Sequence, residues 1–118
     1  MSYSVHLYRT EVKEKHAQQA NDLSFFEKTE NLIPFTQEQK DKLHKRLGLY
    51  GYKFVSQIID CSEYNHPDSG IIILLTDLGL YFKTSGDTFD MLLMASEFTD
   101  TNEFAKYDPQ LGKWEEIE

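Results

Sequence analysis

Cys61 is the only thiol in this 118-residue chain, and His66 lies five residues after it in the stretch CSEYNHPDSG. A cysteine becomes a nucleophile when a base within hydrogen-bond reach takes its proton. The stretch is dense in turn formers and reads as a loop that would let the two side chains meet. Asp60 and Glu63 flank the thiol, however, and neighbouring anions disfavour the reactive thiolate. An ordinary free cysteine is the expectation. The four histidines, His6, His16, His44 and His66, include no pair at the i, i+4 helical spacing that a zinc site often uses. No metal and no cofactor is therefore expected.

Carboxylates offer the other chemistry. Glu97, Asp100 and Glu103 are close enough in sequence to suggest an acid and base pair, yet that chemistry needs one carboxyl with a raised pKa in a concave site. The run DTNE at 100–103 also begins like a calcium loop, but it lacks glycine at the sixth position and has Leu111 where the twelfth-position acid belongs. A solvated acidic face fits better. The same stretch keeps Phe98, Phe104, Tyr107 and Trp114, which a disordered acidic tail would have lost. Acids interleaved with aromatics suit a binding surface, since Tyr and Trp are favoured anchors at interfaces. The candidate partner-binding residues are Glu97, Asp100, Glu103, Tyr107, Asp108, Trp114, Glu115 and Glu116.

The formal net charge of −8 is unevenly placed. Residues 1–57 hold seven acids and nine bases, whereas residues 87–118 hold nine acids and two bases. Phosphate contacts need Lys and Arg, so the acidic third excludes nucleic acid as its partner and favours a cationic protein. The longest apolar run, IIILL at 71–75, is too short to span a bilayer, and the N-terminus lacks the apolar core of a signal peptide. One cysteine precludes an internal disulfide. A protein acting in the cytoplasm without membrane contact is expected.

Apolar residues at 40% and a length of 118 fit one domain, 1–118, with one packed core. The elements that would position the acidic face are those of an α+β fold. SYSVHLY alternates and predicts a strand at 2–9, while RTEVKEKHAQQAND is either a loop or a weak helix. TQEQKDKLHKRLGLYG carries a capping box at Thr36 and Gln39 and predicts a helix over 37–48 that buries Leu43 and Leu47 and ends at Gly48 or Gly51. YKFVSQIID predicts a strand at 52–60, and IIILLT one at 71–76 covered on both faces. LTDLGLYF predicts a hairpin to a strand at 80–84, with Gly79 in the left-handed conformation. DTFDMLLMASEF suits helix or strand; the preceding SGD turn favours a strand at 88–95. A short C-terminal hairpin would close one edge. The expected architecture is a largely antiparallel sheet with one main helix packed on one face.

The patterns PFTQEQ, LTDLGLYF, ASEFTDTNEFAKYDPQ and GKWEE resemble a group of small uncharacterised bacterial cytoplasmic proteins with an ASEFTDTxEFAKYDPQ-like motif. That resemblance carries over no functional residue. Size, acidity and the lack of catalytic motifs are loosely similar to immunity proteins of bacterial toxin systems, and imply a non-catalytic inhibitor that occludes a cationic toxin such as a nuclease. The competing expectation is a small hydrolase or other enzyme whose site is assembled from residues distant in sequence.

Overall fold

A computed structural model describes residues 3–19, 24–59, 61–84, 88–101, 103–110 and 112–114. The alternating N-terminal stretch forms β1 (Tyr3–Arg9), and it lies inside the sheet with a neighbour on each side. Then follow α1 (Thr10–Gln18), two 3₁₀ turns at Phe25–Glu27 and Thr29–Asn31, and α2 (Gln37–Leu49). The next elements are β2 (Lys53–Ile58), β3 (Cys61–Asn65), β4 (Ile72–Thr76), β5 (Leu80–Thr84) and α3 (Thr88–Glu97). The last are β6 (Phe104–Asp108) and β7 (Lys113–Trp114). Among the described residues, the seven strands form one antiparallel sheet in the order β2-β3-β4-β5-β1-β6-β7. The chain is α+β.

Register decides which side chains share a face. Val5 lies opposite Phe82 and Leu7 opposite Leu80, while Ile73 and Leu75 continue the row from β4 and Tyr64 extends it into β3. All are buried, packed with Leu43 and Leu47 of α2, Met91 and Ala95 of α3, and Phe98. Each fully buried aliphatic or aromatic side chain contributes about 1.5–3 kcal/mol by leaving water. The other face carries a smaller cluster over β1, β6 and β7, where Tyr8 packs with Val12 of α1, Phe25 and Leu32. Three helices thus share two faces, where the sequence predicts one main helix on one face.

The ends of α2 are set by local chemistry. The Thr36 hydroxyl accepts from the Gln39 N–H at 3.0 Å, and the Gln39 side chain accepts from the Thr36 N–H at 2.9 Å, so the predicted capping box forms. At the other end Gly51 takes φ +90°, the Tyr52 N–H reaches Leu47 O at 3.0 Å and the Gly51 N–H reaches Gly48 O at 3.1 Å. This is the Schellman pattern, which requires a left-handed residue. Arg46 then fastens the helix to the end of α3. Its guanidinium grips Asp100 with two bonds of 2.9 and 2.8 Å, donates to Glu97 O at 2.8 Å and stacks 4.9 Å from the Phe98 ring centre.

Several expectations are corrected. Residues 88–95 form helix α3, because β4 and β1 already occupy both edges of β5 and leave no room for a further meander strand. The segment MLLMASE also has no β-branched residue, which favours helix. Residues 61–65, expected in a loop, are strand β3, paired on both sides. The ambiguous segment after β1 is helix α1, with Val12 as its buried residue. β4 is covered on one face, since Ile73 is buried and Ile72 is 41% exposed.

Gly79 is also required for a different reason. It is not among the positive-φ residues. The turn is held by the Thr76 hydroxyl, which accepts from the Leu78 and Gly79 N–H groups at 3.1 Å each. A β-carbon at Gly79 would sit 2.8 Å from the Tyr81 ring and 3.1 Å from that of Tyr8. Replacing Gly79 with Val is expected to lower stability by about 1–3 kcal/mol through overpacking. A denaturation midpoint equal to that of the parent chain would show that Tyr81 swings aside at no cost.

His6 adds a pH dependence. Its Nδ1 lies 3.1 Å from the Tyr8 hydroxyl and its ring packs edge-on against Tyr81. Burial first and Lys83 second pull its pKa from 6.5 down to about 4, with Asp108 opposing. Between those values the unfolded chain binds a proton that the folded chain refuses. The contribution is therefore intact above pH 6.5 and is lost as pH falls toward 4. Melting of the parent chain and His6→Gln between pH 7 and pH 5 should show a smaller fall in the variant; equal falls would assign the effect to other groups.

Candidate functional site

Helix α3 turns two opposite faces outward and inward. Met91, Ala95 and Phe98 follow the i, i+4, i+7 rule and point into the core, so Phe89, Leu93 and Glu97 at i, i+4, i+8 fall on the opposite side. Phe89 is 66% exposed and Leu93 53%. Beneath this ridge is a cavity of about 280 Å³, lined by Asp90, Leu93, Met94 and Glu97 from α3 and by Tyr52, His66, Ser69 and Ile71 from the facing segments. Two carboxylates line it and no Lys or Arg does. Apolar walls with acids at the rim suit a cation carried on an apolar stem.

The facing wall is locally determined. The turn after β3 is closed by the Gly70 N–H to His66 O at 3.1 Å, with Gly70 at φ +73°. Inside it His66 Nδ1 accepts from the backbone N–H groups of Ser69 and Asp68 at 3.1 and 3.3 Å. A neutral ring so held carries its proton on Nε2 and has no free lone pair for general-base work. Tyr52 packs edge-on against this ring, 5.1 Å away. Its hydroxyl is buried without a hydrogen-bond partner among the described residues, and burial pushes the phenol up to about 12.

Glu97 is the most telling residue of the group. It sits in the last turn of α3, where the helix dipole favours cations. Among the described residues no cation pairs with its carboxylate. Asp100, three residues after Glu97, is instead committed: the Arg46 guanidinium holds its carboxyl below the usual carboxylate range. Glu103 is half-buried, 3.5 Å from the Gln39 amide. Asp108 accepts from the Tyr3 hydroxyl and from Gln110. Tyr107 and Trp114 are half-buried in the second cluster, 4.9 Å apart, with the Trp114 indole N–H donating to His16 at 2.9 Å. Glu115 and Glu116 lie outside the described residues.

Sequence reasoning missed Phe89, Leu93, Tyr52 and His66 as partners of Glu97. Helical spacing was the signal for the first two, once α3 is recognised as a helix; the other two come together only through the α2 cap and the β3–β4 turn. The Cys61–His66 pairing fails, because a strand rises about 3.3 Å per residue and β3 holds the two ends of its span on the order of 16 Å apart. Among the described residues no group of three His, Cys, Asp or Glu side chains could hold a metal ion, and no helix is long and apolar enough to cross a membrane.

An orphaned buried hydroxyl predicts a specific outcome. Tyr52→Phe should leave stability unchanged or raise it by up to about 1 kcal/mol, since no hydrogen bond is lost and a desolvation penalty is removed. A loss of more than about 1 kcal/mol on chemical denaturation would mean that the hydroxyl has a partner in solution.

The site is defined by this geometry alone: no family model, curated protein or solved structure matches the chain.

Proposed function

We propose that this protein is a non-catalytic protein-binding module of the cytoplasm, which receives a cationic partner on the outer face of α3. The single observation that carries this reading is the exposed Phe89–Leu93 ridge beside Asp90 and Glu97, over a cavity lined by no Lys or Arg. Apolar anchors would supply the contact area and the two carboxylates would take a Lys or Arg side chain, its methylenes against Leu93, Met94 and Ile71. A basic bacterial toxin, such as a nuclease, is the partner class that fits both this surface and the net charge of −8. The small-enzyme reading is weaker here, since His66 has its lone pair occupied by the backbone and Cys61 lies at the far end of β3.

Basic nucleases titrated into isotopically labelled protein test the proposal. Perturbed resonances should cluster at 66–71 and 89–97, and the association rate should fall steeply with salt as the Debye length shrinks from about 10 Å at 0.1 M to about 3 Å at 1 M. Glu97→Lys should weaken binding roughly tenfold, about 1.4 kcal/mol, without destabilising the fold, because a cation suits the end of a helix. Perturbations elsewhere, or binding indifferent to salt and to Glu97→Lys, would remove α3 from the interface.

A further inference from the structure

A second hollow, of about 270 Å³, opens beside the N-terminal half of α2 and shares no lining residue with the α3 cavity. Gln37, Lys40, Asp41 and His44 line it from the helix at i, i+3, i+4 and i+7, which places them on one stripe. A helix resting on a sheet normally carries apolar side chains at that spacing. Across the hollow, Gln57, Ser62 and Leu75 are register partners on β2, β3 and β4, and Tyr64 shares the face of Ser62 two residues along β3. Leu75 and Tyr64 belong to the core beneath α2, so this face of the sheet is the one turned to the helix. Polar groups of both layers therefore meet where packing alone would place aliphatic ones.

These groups are held in position. Tyr64 is only 3% exposed, and its hydroxyl lies 2.6 Å from His44 Nδ1. The Ser62 hydroxyl bonds the same phenol, which burial keeps protonated. The phenol O–H thus donates to Nδ1, and a neutral His44 ring carries its own proton on Nε2, at the far side of the ring. Asp41 accepts from the Gln37 amide at 2.9 Å, and Asp77 from Lys40 at 2.6 Å. Each carboxylate keeps further acceptor capacity and the ammonium keeps further donors. Gln57 adds an exposed amide with one of each.

Donors and acceptors interleaved in this way select the chemistry of a ligand. A cation only donates and would face Lys40 and the His44 Nε2–H; an anion only accepts and would face Asp41 and Asp77. A hydroxyl does both. The hollow also has an aromatic neighbour, since Phe54 stands opposite Tyr64 in the β2–β3 ladder and is 51% exposed. Its ring centre is 5.7 Å from that of Tyr64 and 6.5 Å from that of His44. Several hydroxyls beside an apolar C–H face are the chemistry of a sugar, and polar side chains beside an open ring match both parts.

We infer that this hollow binds a neutral saccharide unit, its hydroxyls bonded by Asp41, His44, Gln57 and Asp77 and its C–H face laid on Phe54. The site is separate from α3 and stands whether or not a cationic protein docks there.

Titration of the isotopically labelled full chain with glucose, galactose, N-acetylglucosamine and maltose tests the inference. At least one sugar should give saturable shifts centred on 37–44, 54–64 and 75–77, with a dissociation constant on the order of millimolar, as expected for so small a ligand. The affinity should be the same at about 0.1 M and about 1 M salt, because the ligand carries no charge to screen. A cationic partner at α3 weakens over that range and perturbs 66–71 and 89–97, so failure of one proposal is distinguishable from failure of the other. Gln57→Ala, at an exposed position of the terminal strand, should weaken binding about fivefold with the melting temperature unchanged. Phe54→Ala should weaken it as well, and Phe54→Trp should retain it. Linear, unsaturated shifts with all four sugars, or binding that survives both Gln57→Ala and Phe54→Ala, would overturn the inference. Tighter binding of adenosine or of free glutamine at these residues would also overturn it, by assigning the hollow to a base or to a zwitterion.

Discussion

The fold depends on β1 being buried on both faces and paired on both edges. Its neighbours, β5 and β6, come from residues 80–84 and 104–108, so the strand that leaves first in sequence is closed by the chain's last third. Val5 and Leu7 found the larger core, and Tyr8, one position out of phase, founds the smaller one. A one-residue slip would exchange these sets and place His6 among Leu80 and Phe82. Such long sequence separations also make folding slow relative to a helical bundle of the same size.

This arrangement explains why the acidic C-terminal third keeps its aromatics. Phe98 and Phe104 complete the core on one side of β1, and Tyr107 and Trp114 cover Tyr8 and Phe26 on the other. The segment is an integral part of the sheet, and its described acids are exposed, as Asp90 and Glu97 are, or serve as structural partners. Asp100 illustrates the second case. Its bidentate bond to Arg46 joins α2 to α3, and the planar fork of the guanidinium also stacks on Phe98, a combination that lysine does not reproduce.

Strand β1, the capping box of α2 and the β4–β5 hairpin were legible because each is written locally, in period-two alternation or in a four-residue exchange of hydrogen bonds. Helix α3 and strand β3 were not. In α3 the residues Phe89 to Ala95 satisfy both periods, and what decides is the absence of a free sheet edge, which is a property of the whole topology. In β3 only Tyr64 is buried, so CSEYN has the composition of a loop while its backbone is paired on both sides. Gly79 was legible as indispensable but for the wrong cause: sequence signals conformation, whereas the constraint is the space taken by Tyr81 of the adjoining β5 and Tyr8 of β1. The candidate site was legible in its charge and in Glu97. Its apolar half depended on α3 being a helix.

Among the described residues, Glu97 and Ile59 stand against local rules of charge and propensity. Glu97 places a negative charge at the negative end of a helix dipole, and Ile59 places a β-branched side chain at a positive φ with most of its surface in water. Each lowers the stability of the isolated chain, and each has a simple replacement that would not, a lysine in the first case and a glycine or asparagine in the second. Departures from propensity and patterning of this kind are commonest at functional positions. The two exceptions line different cavities that share no residue: Glu97 stands with Asp90 and Leu93, and Ile59 with Phe35 and Leu78.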